Sequence, residues 1–209
     1  MSEDLLLNVA ATMARSRSNG PGLRAVVWAQ GCTIGCPGCY NSSTHPHVAE
    51  SLYSPSEIAS WVLSIDGIEG VTFSGGEPFE QAAAISQTIS LIQEKKPYLS
   101  IFTFTGFDFQ TLKSSTDDSV QKLLAVTDII SSGPFISKLR DSSLLWRGSS
   151  NQELHYLTER YSSKTESIWN DDSPYEEYHM HQGLIHFTGF GGPGSNNLKT
   201  IVQQLSVTD

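Results

Sequence analysis

All the cysteines of the chain lie in one short segment, GCTIGCPGCYN, as Cys32, Cys36 and Cys39. A disulfide between any two of them would close only a tiny loop and leave one thiol over, so it would add little stability. The spacing instead favours metal ligation within one loop. A structural zinc ion usually takes four ligands, whereas three thiolates suit a 4Fe–4S cluster in which one iron has no protein ligand. Such an open iron can bind a small molecule.

A second segment with the residue types of a binding site is SGGEP, which runs from Ser74 to Pro78 after an apolar stretch. Glycines at the end of a strand let main-chain groups approach a ligand closely. Glu77 adds an anion that suits an ammonium group. Further along the chain, Thr103 and Thr105 lie two residues apart on a predicted strand and are therefore expected on one face, where they could line a cleft.

The motif C-x3-C-x2-C after one predicted strand, with FSGGEP after the next, resembles the radical S-adenosylmethionine (SAM) superfamily. Within it, several segments resemble the activating enzymes of anaerobic ribonucleotide reductases. In order, these segments are GPGLRAVVWAQGCTIGCPGCYN, SGGEP, FTGF and GPFISKLRDSSLLWRGSSNQ. The resemblance covers about residues 20–160, and WRGSSNQ is its most specific segment.

This resemblance implies an iron–sulfur oxidoreductase in which Cys32, Cys36 and Cys39 hold a 4Fe–4S cluster that chelates SAM. An electron from a reduced flavodoxin or ferredoxin would cleave SAM to methionine and a 5′-deoxyadenosyl radical. The radical would then install a glycyl radical on a partner enzyme, the large subunit of an anaerobic ribonucleotide reductase. Because the cofactors carry the difficult chemistry, the protein is expected to supply binding and orientation, with no catalytic residue beyond them.

The resemblance also implies which residues contact SAM and the partner. The expected SAM contacts are Tyr40, Ser74, Gly75, Gly76, Glu77, Pro78, Thr103 and Thr105. Many superfamily members place an aromatic residue just before the third cysteine, against adenine, whereas this chain has Gly38 there and Tyr40 after the cysteine. The candidate surface for the partner or substrate is Trp146, Arg147, Asn151 and Gln152. For the first two of these, the alternative is a packed tryptophan beneath a surface arginine.

The elements that must position these segments alternate between strand and helix from about residue 24 to residue 133. Strands are predicted at 24–30, 70–76, 99–106 and 127–133. Helices are predicted at 55–65, 79–95, 115–126 and 150–161. This alternation indicates βαβ units around a parallel sheet, which binds ligands at the carboxyl ends of its strands. We therefore expect an α/β fold with mostly parallel strands, and the resemblance implies a partial (β/α) barrel of the radical SAM type.

Beyond about residue 161 the sequence becomes polar and rich in turn-forming residues. We expect a radical SAM domain over 1–161 and a C-terminal extension over 162–209, packed on or near the same domain. The extension is predicted to contain a strand in GLIHFTGF and a short terminal helix in SNNLKTIVQQL.

Other motifs in the chain carry weaker signals. The H-x-H pairs at His45 and His47 and at His179 and His181 are interpreted as solvated or partly buried side chains, because no further ligand lies near them in sequence. The G-x-G-x-x-G match at 189–194 is interpreted as a glycine-rich loop, since no βαβ unit follows it.

Composition limits the class of protein. The chain has 209 residues, of which 38% are hydrophobic and 17% charged, and its formal net charge is −9. These values predict a globular protein, and the negative charge argues against a nucleic-acid partner. No apolar run reaches the roughly 18 residues of a membrane span, and the acidic N-terminus is unlike a secretory signal. We therefore expect a cytoplasmic protein without a membrane partner.

Two other functions remain open at this point. The first is a radical SAM enzyme that acts directly on a small molecule or a peptide, such as a deazapurine synthase-like or peptide-modifying enzyme. The C-terminal extension, which lies outside the resemblance, keeps that alternative open. The second is an iron–sulfur electron carrier without catalytic activity, and the SGGEP segment argues against it.

Overall fold

The computed structural model describes residues 5–164, 174, 176–181 and 184–190. In chain order, its helices and strands are β1 (Leu7–Ser16), β2 (Arg24–Ala29), β3 (Ser51–Tyr53), α1 (Pro55–Leu63), β4 (Gly70–Gly75), α2 (Ala82–Lys95), β5 (Ser100–Phe104), α3 (Phe109–Lys113), α4 (Asp118–Ala125), β6 (Ile129–Ser132), β7 (Glu153–Tyr156), β8 (Glu176–His181) and β9 (Leu184–Gly189). Short 3-10 turns lie at Ser42–Thr44, Pro78–Gln81 and Ser137–Leu139.

Seven of these strands form one sheet in the order β3-β1-β2-β4-β5-β6-β7. The central strands β2, β4, β5 and β6 are parallel, whereas β1, β3 and β7 pair antiparallel at the two sides. The prediction of an α/β fold around a mostly parallel central sheet is confirmed. In the part of the chain that the structure describes, β3 and β7 are the edges of this sheet.

The helices cover one face of the sheet and bury the main core against it. Val27, Phe73 and Ile101, from three neighbouring parallel strands, pack there with Ile85 and Ile89 of α2. Helix α1 begins as its sequence predicts. Ser54 is its N-cap and forms a capping box with Glu57, which satisfies main-chain N–H groups that a helix start leaves unpaired.

A buried arginine ties the amino ends of the parallel strands together. Arg24 is 0% exposed. Its guanidinium donates to Thr72 Oγ1 at 2.8 Å, to Ser100 Oγ at 2.8 Å and to the carbonyl oxygen of Val71 at 2.8 Å. It also donates to the carbonyl oxygens of Pro21 and Ser100. Because its donors have partners from β4 and β5, Arg24 fixes that end of the sheet, opposite to the strand ends that carry the cysteine loop and SGGEP.

The predicted helix over 150–161 is wrong. Residues Glu153–Tyr156 form β7, which pairs antiparallel with β6 through all four of its residues. A strand at the edge of a sheet has unpaired N–H and carbonyl groups, and pairing with β7 satisfies those of β6. This long-range gain outweighs the helical pattern of the segment. Strands β1 and β3 and helix α3 were not predicted.

The extension contains a second, two-stranded sheet in which β8 pairs antiparallel with β9. The strand predicted in GLIHFTGF is therefore present as β9. The predicted terminal helix, and Gly191 and Gly194 of the glycine motif, lie outside the described residues. Among the helices that the structure describes, none is long and apolar enough to cross a membrane.

Candidate active site

One cavity brings together the segments that the sequence singled out. It lies at the carboxyl ends of the parallel strands and measures about 640 Å³, counted to its open mouth. Its wall includes the three cysteines, the residues from Ser74 to Glu77 at the end of β4, and Thr105 and Gly106 after β5. Parallel strands end at the same edge of a sheet, so segments far apart in sequence meet there.

The cysteine loop is held by main-chain hydrogen bonds at both of its ends. The N–H of Cys32 donates to the carbonyl oxygen of His45 at 3.0 Å, and that of Cys39 donates to the carbonyl oxygen of Cys36 at 3.2 Å. Glu80 accepts a hydrogen bond of 2.8 Å from the N–H of Thr33. These hydrogen bonds define the path of the loop at both of its ends.

All three thiols are free and partly buried. Burial raises the pKa of the Cys32 and Cys39 thiols above their usual range, and main-chain N–H groups only partly offset that effect. A thiolate in such a place needs a positive charge beside it, and bound metal supplies one. The donor set therefore fits a thiolate-ligated metal group.

The number of cysteines favours a cluster over a single metal ion. Throughout the described residues, no group of three or more His, Cys, Asp or Glu side chains is placed to hold one metal ion. A structural zinc ion usually takes four ligands. A 4Fe–4S cluster can bind thiolates at three of its iron atoms, so three cysteines in one cavity wall fit it.

The glycines of SGGEP let this segment pack against the start of the cysteine loop. Gly75 has a φ of 99°, and a Cβ atom there would lie 2.6 Å from the main-chain nitrogen of Ala29. A Cβ atom on Gly76 would collide with the carbonyl oxygen of Gly31. The N–H of Glu77 donates to that same oxygen at 2.8 Å. Side chains at these positions would push the two segments apart, so both glycines are needed for the shape of the cavity.

Glu77 joins the end of β4 to the end of β5. Its side chain is 0% exposed. Oε1 accepts hydrogen bonds of 2.9 Å from Thr105 Oγ1 and from the N–H of Phe79, and Oε2 accepts one of 2.8 Å from the N–H of Gly106. Burial raises the pKa of Glu77 to about 7, while these three hydrogen bonds act in the opposite direction. The carboxyl group thus lines the cavity and fixes the FTGF segment in place.

Aromatic side chains form another part of the cavity wall. The ring of Tyr40 meets Phe135 edge-on at 5.2 Å between centroids and Phe190 at 5.7 Å, and Phe104 lies 5.5 Å from Phe190. The guanidinium of Arg140 lies over the Tyr40 ring at 5.1 Å. Burial raises the pKa of the Tyr40 hydroxyl, and Arg140 partly offsets this. These rings give the cavity flat apolar surfaces beside its thiol groups.

Two predicted SAM contacts lie elsewhere. Thr103 is 0% exposed, and its hydroxyl lies 3.3 Å from that of Thr127 rather than in the cavity. Strand β5 ends at Phe104, so the alternation of a strand does not extend to Thr105, and the two threonines do not share a face. Pro78 begins the turn after Glu77 and is buried, but it is not part of the cavity wall.

The four residues of the predicted partner surface differ in their surroundings, and Trp146 is buried rather than at the surface. Trp146 is 1% exposed, with a φ of 54°, and packs on Phe102. Asn151 Nδ2 donates to the carbonyl oxygen of Pro134 at 2.8 Å, and Gln152 Nε2 donates to that of Gly133 at 2.8 Å.

Both amides therefore fasten the segment after β6 to WRGSSNQ, and Gln152 lies in the cavity wall. Arg147 is half-buried, and its Nε donates to the carbonyl oxygen of Leu145 at 3.3 Å. The packed-tryptophan alternative describes Trp146 correctly.

Several residues of the cavity wall were not predicted from the sequence. They are Ile34, Asn41, His45, Phe104, Gly106, Gly133, Phe135, Gly148 and Phe190. His45 is half-buried, as one reading of the H-x-H pairs allowed. Phe104, Gly106 and Phe135 lie in the FTGF and GPFISKLR segments, and the resemblance of these segments to the activating enzymes could have identified the three residues. Nothing local marks Phe190, which lies far beyond the motifs.

The fold and the three-cysteine cavity define an iron–sulfur cluster protein. The chain matches the family described as 4Fe-4S single cluster domain over residues 18–155. It is 33% identical over 146 residues to the anaerobic ribonucleoside-triphosphate reductase-activating protein of Vibrio cholerae, covering 67% of this chain and 92% of that protein. The protein of the same name from Escherichia coli K12 is 30% identical over 145 residues, covering 66% and 92%. That of Enterobacteria phage T4 is 33% identical over 159 residues, covering 74% and 92%.

The chain therefore belongs to the family of anaerobic ribonucleoside-triphosphate reductase-activating proteins. This confirms the resemblance to these activating enzymes noted in the sequence, and the chain is an enzyme of the activase type. Among solved structures, QueE from Escherichia coli aligns at a TM-score of 0.43 and 13% identity, covering 61% of this chain and 70% of that one. That similarity is too weak to support an inference.

Proposed function

We propose that this protein cleaves SAM reductively and installs a glycyl radical on the large subunit of an anaerobic ribonucleotide reductase. One observation carries the proposal, namely the single cavity that unites three cysteine thiols with the SGGE and Thr105–Gly106 segments. The names of the relatives support the choice of partner.

In this proposal Cys32, Cys36 and Cys39 hold a 4Fe–4S cluster, and SAM lies beside it in the cavity. When bound, the cluster supplies the electron that cleaves SAM to methionine and a 5′-deoxyadenosyl radical, which takes a hydrogen atom from a glycine Cα of the partner. A reduced flavodoxin or ferredoxin is the proposed electron donor. The central sheet is proposed to be a partial (β/α) barrel, with residues 1–161 as the catalytic domain and 162–209 as an extension.

The main-chain groups from Ser74 to Gly76 are the proposed contacts to the polar end of SAM, since glycine leaves them accessible. Glu77 already accepts three hydrogen bonds, so its main contribution is to hold Thr105 and Gly106 where they line the site. Its negative charge also favours an ammonium group nearby. The Tyr40 ring and its phenylalanine neighbours offer stacking surfaces for adenine.

The first experiment tests the cleavage. The protein is reconstituted anaerobically with iron and sulfide and mixed with dithionite and SAM, and 5′-deoxyadenosine is measured by chromatography. We expect product from the wild type, none from Cys36→Ala, and wild-type yield from Ser42→Ala, a control at an exposed position in the turn after the loop. Product from Cys36→Ala would contradict the assignment of the cluster ligands.

The second experiment tests the partner. The reduced, SAM-loaded protein is mixed with an anaerobic ribonucleoside-triphosphate reductase, and the electron paramagnetic resonance spectrum is recorded. A doublet from a glycyl radical is expected. If 5′-deoxyadenosine forms without any radical on the reductase, the partner assignment is wrong, and a small molecule or a peptide becomes the better candidate substrate.

A further inference from the structure

A second cavity adjoins the cluster cavity and measures about 1000 Å³, counted to its open mouth. It lies between β1 and β2 on one side and β9 of the extension on the other. The two cavities share Tyr40, Asn41, Ser74 and Phe190 in their walls. The two cavities are therefore neighbours that have these residues as a common wall.

The outer wall of this second cavity is formed by β9 of the β8–β9 hairpin and by Phe190. Side-chain hydrogen bonds fasten the hairpin to the end of β1 and to the residues that follow it. Glu177 accepts from Ser16 Oγ at 2.5 Å, from the N–H of Arg17 at 2.9 Å and from the N–H of Ser18 at 3.0 Å. Asn19 Nδ2 donates to Thr188 Oγ1 at 2.8 Å. The hairpin therefore has a defined position over the sheet.

The inner wall is formed by the sheet face opposite to the helices. Ala11 of β1 lies directly across from Trp28 of β2, and residues opposite one another on antiparallel strands share a face. Trp28 lines the second cavity, so Ala11 faces it as well. Ala11 is exposed, which means that the space in front of it is open.

The chemistry of the lining limits what the cavity can bind. None of the described residues around it is an Asp, Glu, Lys, Arg or His. A triphosphate or a carboxylate would lose its hydration there without gaining a cation. Asn41, Ser43 and Thr44 supply hydroxyl and amide groups, and aromatic rings supply apolar surface. This combination suits the neutral amide groups of an extended polypeptide.

We propose that the cavity between β1 and the β8–β9 hairpin binds an uncharged, extended main-chain segment of the partner protein and leads it to the cluster cavity. This inference rests on the proposed function, because it supplies the route by which a glycine Cα reaches the site where SAM is cleaved. It also gives the extension a role, since the hairpin lies beyond residues 18–155, which the family match covers.

The test fills the second cavity from its inner wall with Ala11→Trp. The matched control is Ala14→Trp, which is exposed on the same strand and lines neither cavity. Three quantities are measured for each variant: 5′-deoxyadenosine formed with SAM and dithionite alone, the glycyl-radical yield on the reductase, and the Kd of the complex with the reductase. For Ala11→Trp we expect unchanged 5′-deoxyadenosine, with at least a tenfold loss of radical yield and a tenfold weaker Kd. Ala14→Trp should match the wild type in all three.

Wild-type radical yield and Kd in Ala11→Trp would overturn the inference, and so would a loss of 5′-deoxyadenosine along with the radical, since the cavity would then belong to the SAM site. Failure of the proposed function has a different signature, because the wild type itself would then give no radical. If Ala11→Trp does not fold, the inference is tested by amide hydrogen exchange of the wild type with and without the reductase. Protection of residues 10–13 by the reductase supports the inference, and unchanged exchange there overturns it.

Discussion

Two glutamates connect distant parts of this molecule, and their pKa values are shifted in opposite directions. Glu77 joins the ends of β4 and β5, and Glu177 joins the hairpin to the turn after β1. Burial raises the pKa of Glu77 to about 7. Burial acts in the same direction on Glu177, but the hydrogen bonds from Ser16, Arg17 and Ser18 together outweigh it and lower the pKa. The comparison shows that the balance between removal from water and accepted hydrogen bonds sets the pKa of such a carboxyl group, with burial dominant at Glu77 and hydrogen bonds dominant at Glu177.

The largest effect is expected from Glu77→Ala. This change leaves the N–H groups of Phe79 and Gly106 and the hydroxyl of Thr105 without their acceptor inside the protein. Buried groups left without a partner are costly, so the free energy of unfolding should fall by about 4 kcal/mol. Anaerobic urea unfolding followed by circular dichroism measures it. Glu50→Ala, at an exposed loop position, is the control and should change the free energy by less than about 0.5 kcal/mol.

The next largest effect is a dependence on pH that separates the two glutamates. The folded state binds its proton on Glu77 more tightly than the unfolded state does, so the stability contributed through this group is present below pH 4.5 and is lost as pH rises towards 7. The loss over that window should be about 3 kcal/mol, given 1.36 kcal/mol per pKa unit. The unfolding free energies of the wild type and Glu77→Gln, measured from pH 4 to pH 8, should show this fall in the wild type alone.

Glu177 should behave in the opposite way, because its pKa is lowered in the folded state. The stability that it contributes is present above its usual pKa of 4.5 and is lost as pH falls through the folded value. Glu177→Gln should therefore flatten the acid side of the profile only. The same direction of change in both variants would contradict the comparison.

A smaller effect is expected from Glu177→Ala, which removes the acceptor for several hydrogen bonds at once. Hydrogen bonds to a charged group are worth about 1.5–3 kcal/mol, and because this site is partly exposed the expected loss is about 2.5 kcal/mol. Because the hairpin is fastened here, amide exchange in β8 should speed up more than exchange in β5. Equal acceleration in both strands would mean that the hairpin and the central sheet open together. Glu153→Ala, at an exposed site on β7, should leave both unchanged.

The smallest effects come from replacing one hydroxyl in each region by a methyl group. Thr105→Val removes a donor to Glu77 and an acceptor for the N–H of Phe107, and should cost about 2 kcal/mol. Thr188→Val removes only the acceptor for Asn19, and should cost about 1 kcal/mol. Urea unfolding of both variants provides the comparison. A larger loss for Thr188→Val would mean that the hairpin is the more tightly held region.

Much of the central sheet could be predicted because its strands and helices have clear local patterns. The parallel strands appear within a few residues of their predicted bounds, and the capping box of α1 marks its start. The segment around β7 could not be predicted in this way, because its pairing with β6 depends on residues more than twenty positions away. Strand β1 was missed for the same reason, since its partner β2 defines it.

The candidate site likewise contains residues that the sequence placed correctly and residues that it did not. The cysteines and the glycines of SGGEP were predicted to lie together, and they do, because each follows a parallel strand and such strands end at one edge. Thr103 was misplaced, since the sequence does not reveal that β5 ends at Phe104. For Trp146 the sequence left both a surface position and a packed position open, and its packing on Phe102 shows that it is buried.

The sequence by itself determined the kind of chemistry, since the ligand spacing and the glycine-rich turn are written in adjacent residues. The tertiary structure alone decided what surrounds that chemistry. Glu177 contacts Ser16 across a separation of 161 residues, and Phe190 reaches the rings of Tyr40 and Phe104. No local pattern encodes such contacts, because they depend on how the sheet and the hairpin pack in space and not on the order of neighbouring residues.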